Sequence, residues 1–438
     1  MTRYLIISLF ALPALFADGA TLRFTGASRE PVAVDVTAST GLDALYVLDG
    51  VDGVTATVDG VPSGQSPVWK KWGYMGAAYA EDVDPSLVST SDSSTSLSTL
   101  DPDTGYAVEF DGDTYYFWIA DYSRHPFDAV ALTPDAEQDC ATTNLRFDGS
   151  AQRMTYYTIN ARSQEIDREI TLTYRTLVRD EQEVAFIQSE TTESFASLGD
   201  VIHVSAPLCD TDFHLEGDRF LRAWGIAESC TSPVVSATAV DVITTATQTV
   251  RDSENEIKNE GSTLGGSAPA EIIFRGAVTD AAVYREWQMA RDSEFYEIVY
   301  RNQDLDFTYT FNEMGTFYVR LLAANASGDC EAQNDPYVVT IGESALKCPN
   351  AFSPGASEGV NDEWRVSYKS IVSFECYIFD RWGTKMFEFN DPATGWDGKY
   401  RGKLVPAGVY YYVIRARGSD GKDYNLSGDI NILKIKSK

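Results

Sequence analysis

A chain of 438 residues is too long for one hydrophobic core and suits three or four domains of ordinary size. Its 35 Lys and Arg stand against 65 Asp and Glu, a formal charge of −30 at pH 7, which repels nucleic acid and anionic membrane surfaces and argues against both as partners. Beyond the N-terminus no apolar run approaches the length of a membrane-spanning helix, so no transmembrane span is expected.

Residues 1–17 carry Arg3, then an apolar run at 5–16, then the small Ala17. The run is too short to cross a bilayer and suits the core of a secretory signal peptide. Leu15 stands at a poor position for cleavage after Ala17, which leaves the cleavage site open, and no cysteine follows to take a lipid anchor. Export permits disulfides, and Cys140, Cys209, Cys230, Cys330, Cys348 and Cys376 make an even count. None forms a Cys-x-x-Cys pair, so neither a redox motif nor a zinc knuckle is indicated. Cys209 with Cys230, close in sequence and plausible on adjacent strands, is the first pairing expected, and the exported protein should keep no more than one or two free thiols.

The body reads as all-β. Leu22-Arg23-Phe24-Thr25-Gly26 recurs as Leu145-Arg146-Phe147-Asp148-Gly149 and, more loosely, as Ile272-Ile273-Phe274-Arg275-Gly276, at spacings of 123 and 127 residues. Such spacings suit Ig-sized modules that each open on a strand. In the first module, residues 18–134, the run 106–110 leads through Asp111-Gly112 into 114–119, a hairpin signal. The Ser/Thr-rich stretch 86–98 reads as an exposed loop. Trp69, Trp72, Tyr74 and Tyr79 crowd beside Lys70 and Lys71, as core or as a carbohydrate-stacking platform. The second module, 135–264, alternates at 154–159 and 170–177 and closes on a Thr-rich strand at 241–250. Residues 251–266 follow as a linker, with a short helix over 252–258 as the alternative.

In the third module, 268–343, Trp287, the run 309–321 and Asn325-Ala326-Ser327-Gly328 resemble a PKD domain, a seven-stranded Ig-like sandwich common in cell-surface proteins. The residues agree: 316–323 alternates, Gly315 turns into it, and Trp287 suits the space between two sheets.

Residues 348–438 carry motif blocks in series. They are Pro349-Asn350-Ala351-Phe352-Ser353-Pro354, then Gly359-Val360-Asn361-Asp362, Phe379-Asp380-Arg381-Trp382-Gly383, Trp396-Asp397-Gly398, Pro406-Ala407-Gly408-Val409-Tyr410 and Gly428-Asp429-Ile430-Asn431-Ile432. In this order and spacing they resemble the gliding motility-associated C-terminal domain, the type B sorting domain of type IX secretion substrates. The loop Gly355-Ala356-Ser357-Glu358-Gly359 departs from the family's Asn-Gly-Asp-Gly, being one residue longer and lacking its aspartate. The resemblance implies delivery through the periplasm to the outer cell surface or the medium, with the type IX secretion machinery as partner.

Read for pattern alone, the same stretch is a small β-module. Phe374, Cys376 and Ile378 alternate with Glu375, Tyr377 and Phe379, and Asp420-Gly421 joins the runs 409–416 and 424–436 as a hairpin. Lys434, Lys436 and Lys438 suit a guarded edge strand. Trp382 and Trp396, each near a glycine, read as buried anchors beside turns. The stretch carries 13 Lys and Arg against 11 Asp and Glu, so the acidity belongs to the body, where solubility explains it and calcium binding is the sharper alternative. The Asp-Gly pairs beginning at Asp49, Asp52, Asp59, Asp111 and Asp148 read as turns, and no spaced Asp-x-Asp-x-Asp-Gly loop occurs. No cofactor is expected.

Catalysis finds little support. His125, His203 and His214 lie in unrelated contexts, with only the last two candidates for neighbouring strands, and no nucleophile elbow, Walker loop or zinc-protease motif appears. The expected architecture is therefore all-β: tandem Ig-like or PKD-like sandwiches at 18–134, 135–264 and 268–343, ending in a small β-sandwich sorting domain at 348–438. The expected function is that of a non-enzymatic secreted or cell-surface protein with an adhesin-like or structural role. The alternatives are a glycan-binding protein, with extracellular glycans or proteins as partners, and a hydrolase with a hidden carboxylate pair.

Overall fold

The computed structural model describes residues 20–433 apart from 111, 136–137, 258–263 and 356–360. The expected signal peptide, Gly359 and the terminal lysines lie outside the described residues. About 53% of the described residues are strand and 4% helix, as the alternating patterns require. Two compact units result, one of residues 1–176 with 190–236, the other of 177–189 with 237–438.

In the first unit a four-stranded sheet (Thr21–Thr25, Thr55–Asp59, Ser94–Leu97, Val88–Thr90) faces a six-stranded one. The latter runs Val32–Val34, Ala44–Leu48, Asp113–Asp121, Thr104–Phe110, Val68–Trp72, Glu81–Asp82. Between them lie Val58, Trp69, Leu97, Val108, Phe117 and Ile119. The hairpin expected around Asp111-Gly112 forms, with Asp113 opposite Phe110. The 86–98 stretch is no loop. It contributes Val88–Thr90 and Ser94–Leu97, because its threonines suit a half-buried pleat, and buried Thr95 accepts from Trp69 Nε1 at 2.9 Å.

The six-stranded sheet is covered on both faces. Trp72, Trp118 and Ala120 point away from the first core into a second, shared with Leu145, Met154, Leu172, Phe213 and Phe220 of the following module. Burial on both sides is why Asp113–Asp121 reads as an almost unbroken apolar run. The boundary expected at 134/135 also moves, since Asp128–Pro134 pairs antiparallel with Thr142–Ser150 and so belongs to the second module. Leu145 to Gly149 lies in that second strand, not at the module's start.

One ion pair is sealed inside this unit. Arg168 and Asp218 meet at 2.6 Å with both side chains fully buried. Arg168 Nη1 donates to Gln152 O at 2.8 Å, Tyr122 Oη donates to Asp218 at 3.1 Å, and Asp218 Oδ1 accepts from the N–H groups of Phe220 and Leu221. The last two bonds cap the short helix Arg219–Ala223. Burial, reinforced by the Asp218 charge, pushes the Tyr122 phenol up.

In the second unit an Ig-like sandwich sets Val242–Gln248, Ala270–Val278 and Phe307–Phe311 against a sheet built on Gly315–Ala324, Tyr284–Ala290 and Tyr337–Ile341. Trp287 fills the space between them as expected, 5.6 Å from both Phe274 and Phe307, its Nε1 donating to Leu305 O at 2.9 Å. The Thr-rich strand expected to close the second module instead pairs with Ala270–Val278, from Val242 opposite Val278 to Gln248 opposite Ile272. The 264/268 boundary therefore cuts through this module, which begins soon after residue 237.

Cys209 and Cys230 are both free thiols, so the pairing expected between them is not formed. Cys230 lies opposite Leu215 in its strand pair. Cys140 and Cys330 are the disulfide-bonded cysteines, and Cys348 and Cys376 are free, which leaves more thiols than expected.

Candidate functional site

The 348–433 segment folds as a five-stranded sheet in the order Ala351–Phe352, Asp423–Ile432, Gly408–Gly418, Ile371–Phe379, Lys385–Phe389. Phe374, Cys376, Ile378, Ile414 and Ile430 line its inner face as the alternation required. The Asp420-Gly421 hairpin registers Arg417 against Asp423 and Gly408 against Ile432. Asp423–Ile432 is not an edge strand, however, because Ala351–Phe352 pairs parallel with its far side.

That parallel pair explains the Pro-Asn-x-Phe block. Asn350 O accepts from the Asn431 backbone at 2.9 Å and from its side chain at 3.1 Å, and Phe352 O accepts from Leu433 N. Pro349 O accepts from Trp364 Nε1 at 2.7 Å. Asn361, in the left-handed region at φ 55°, takes Ser353 N on its carbonyl, and Asp362 Oδ1 accepts from Gly355 N at 2.8 Å, closing the loop after Pro354.

Trp364 and Trp396 form the centre. Each backbone N–H donates to the other's carbonyl, at 2.9 and 3.1 Å, and both indoles are fully buried. Trp396 packs 5.6 Å from Phe352 and 5.3 Å from Tyr410, and its Nε1 donates to Lys399 O at 3.0 Å. Asp397 binds the Lys399 backbone and ammonium. Gly398 has φ +73°, and a Cβ there would lie 3.0 Å from Pro354 and 3.2 Å from Phe352, so glycine is required for backbone and space alike. Tyr410 Oη donates to Pro406 O at 2.9 Å, just before Gly408 opens the long strand.

The Arg-Trp-Gly block does something else. Trp382 is 76% exposed and is no core anchor. Asp380 Oδ1 accepts from the N–H groups of Trp382 and Thr384, both at 2.9 Å, Gly383 takes φ +83°, and the Arg381 guanidinium lies 4.2 Å over the indole. A rigid turn thus holds an aromatic ring out in water.

Residues 251–257 of the expected linker are part of this site. Asn255 Nδ2 donates to Val366 O and Pro392 O, both at 2.7 Å, Tyr368 N donates to Asn255 O, and Ile257 N donates to Tyr368 O. Only their lack of Gly and Pro hinted at order. The neighbouring sandwich adds more: Met314 N donates to Ser419 O, Ser370 N to Ser267 Oγ, and Ser344 Oγ to Asp420 at 2.8 Å.

Burial pushes the Cys348 and Cys376 thiols up, the opposite of what a reactive thiolate needs. Tyr412 beside them is pushed up to about 12 by burial, reinforced by its hydrogen bond with Cys348. The histidines bond separately: His125 to Asp103, His203 to Asn144 and His214 to Thr231. His203 and His214 lie in different sheets. Among the described residues no group of His, Cys, Asp and Glu is placed to hold a metal ion.

The aromatic cluster of the first module divides. Trp69 and Trp72 are buried, whereas Tyr74 and Tyr79 are 69% and 67% exposed. Both tyrosines line an open cavity of about 350 Å³ with Lys71, Trp72, Glu81 and Asp101. The Trp72 indole N–H has no partner among the described residues.

Residues 346–432 match the CHU_C type IX secretion signal domain, and residues 132–232 match a fibronectin type III domain family, Fn3_FA. No curated protein matches the chain. Solved structures similar to it include a tetra-tandem repeat from the extending region of a large adhesion protein, at 13% identity over 89% of this chain and 99% of that one, TM-score 0.21. Three N-terminal domains of the bacteriophage RB49 outer capsid protein Hoc match at 9% identity over 70% of this chain and all of that one, TM-score 0.21. The fibronectin(III)-like modules of Clostridium thermocellum CbhA match at 10% identity, over 43% of this chain and 94% of that one, TM-score 0.17. A type IX secretion signal implies export to the cell surface or the extracellular space. The chain is a multi-domain β-protein with a fibronectin type III-like domain at 132–232 and, at 346–432, a type IX secretion signal domain of the CHU_C family.

Proposed function

We propose that this is a non-catalytic, adhesin-like or structural surface component, which enters the periplasm by an N-terminal signal peptide and leaves it through the type IX machinery. The sandwich at 237–343 is read as its PKD-like module. The observation that carries the reading is the C-terminal fold, in which motif blocks far apart in sequence converge on Trp364 and Trp396. Deleting 346–438 should trap the protein in the periplasm, and surface delivery of the truncated chain in a strain with an intact system would refute the reading. Because Asn255, Ser267 and Ser344 bond into the sorting domain, a fusion of an inert cargo to 237–438, behind a signal peptide, should be delivered far better than one to 348–438. Equal delivery would mean that these bonds are dispensable.

A second reading, glycan binding in the first module, is favoured by the two exposed tyrosines. Tyrosine faces suit the apolar face of a sugar ring, while Glu81 and Asp101 supply polar partners nearby. Screening the purified protein on a glycan array, then titrating any hit, tests it. Tyr74→Ala and Tyr79→Ala should each weaken binding roughly tenfold, the loss of one stacking contact. An empty array, or a hit indifferent to both changes, removes this reading.

A further inference from the structure

The end of the sorting domain that carries Trp382 combines features that the fold does not need. Solvating an indole on an ordered turn gives the domain no core, and the Asp380 hydrogen bonds hold the ring outward. Next to it stands the hairpin Lys399–Tyr400, Lys403–Leu404, where Leu404 is exposed and Arg401 lies 5.1 Å over the Tyr400 ring. Between this hairpin and the edge strand Lys385–Phe389 opens a groove of about 390 Å³, lined by Met386, Tyr400, Leu404 and Pro406. Tyr410 links the two parts. Its hydroxyl bonds Pro406 O, and its phenol is pushed up by burial and Asp380 and pulled down by Arg381.

Lys385 is neutralised by Glu388 and Lys399 by Asp397, but Arg381, Arg401 and Lys403 form no ion pair among the described residues. Arg381 has the Asp380 carboxylate beside it, whereas Arg401 and Lys403 are exposed, and on a chain of net charge −30 these two cations suit an acidic surface. Trp and Arg in this arrangement are the residues that dominate binding energy at protein interfaces. The domain's small positive charge is too weak for a membrane-binding field, which takes a dense run of Lys and Arg.

Resting on the secretion reading above, we propose that the Arg381–Trp382 turn and the Arg401–Lys403 hairpin form the docking face of the sorting domain, and that its partner is an acidic protein surface of the export apparatus offering an apolar side chain to the groove.

The test uses the full chain in a strain with an intact type IX system, comparing the protease-accessible fraction on intact cells with the periplasmic fraction. Trp382→Ala and the double change R401E/K403E should each lower delivery about tenfold or more, as loss of an interface hot spot does. R401K/K403R, which keeps the charge, should restore most of it. Melting curves should match the parent, since all three side chains are exposed. Unchanged delivery in both variants, with delivery abolished by removing 346–438, would overturn the docking face and leave the secretion reading standing. If removing 346–438 also changed nothing, both would fall. The proposal is equally overturned if the variants reach the surface normally but lose self-association in sedimentation, or lose binding to anionic phospholipid vesicles, because the face would then serve a second copy or a lipid.

Discussion

Trp396→Ala is expected to unfold the sorting domain and hold the protein in the periplasm. The indole is fully buried against Phe352 and Tyr410, and its N–H satisfies Lys399 O. Removing a large aromatic from such a site costs about 3 to 5 kcal/mol through lost burial and the cavity left behind. A domain of this size has only about 5 to 13 kcal/mol of stability to lose, at typical values per residue. The check is differential scanning calorimetry of the full chain with limited proteolysis. The variant should lose or sharply lower one transition, and cleavage should start within 346–433. Trp382→Ala should leave the same transition in place, since that ring contributes to no core. Equal effects of the two changes would mean that burial does not separate their roles.

The second large effect is expected far from the sorting domain. Arg168→Met should destabilise the first unit by about 3 to 5 kcal/mol, because it leaves the Asp218 carboxylate buried without its cation. Asp218→Asn should cost a similar amount by stranding the guanidinium, although the amide oxygen can still cap Phe220 and Leu221. The double change R168M/D218N should recover much of the loss, since desolvating two charges offsets most of what their attraction contributes. Urea unfolding followed by the fluorescence of Trp118 and Trp224 reads this, Trp224 packing 5.0 Å from Tyr122. Additive losses in the double variant would show that the two groups act independently.

The amino-acid sequence by itself determined which face of each strand is apolar and where the tight turns fall. Alternation places Phe374, Cys376 and Ile378 inward and Asp420-Gly421 makes its hairpin, both from interactions between near neighbours along the chain. The order of the C-terminal motifs likewise identified the sorting domain, because each block fits a local demand such as the left-handed backbone at Gly398. Tertiary structure decided everything that depends on a distant partner. Trp382 and Trp396 look alike beside their glycines, yet only the second meets Phe352 and Tyr410; the first falls on a turn, where strand alternation no longer sets direction. Periodicity shows that Val242–Gln248 is a strand but cannot show that it pairs with Ala270–Val278, and so it misplaced a module boundary. The same limit hid the two-sided burial of Asp113–Asp121, the Asn255 contacts and the fate of the cysteines. Strand pairing and side-chain burial are set by residues brought together across a hundred positions, whose choice rests on the total fit of the packed sheets and not on any local signal.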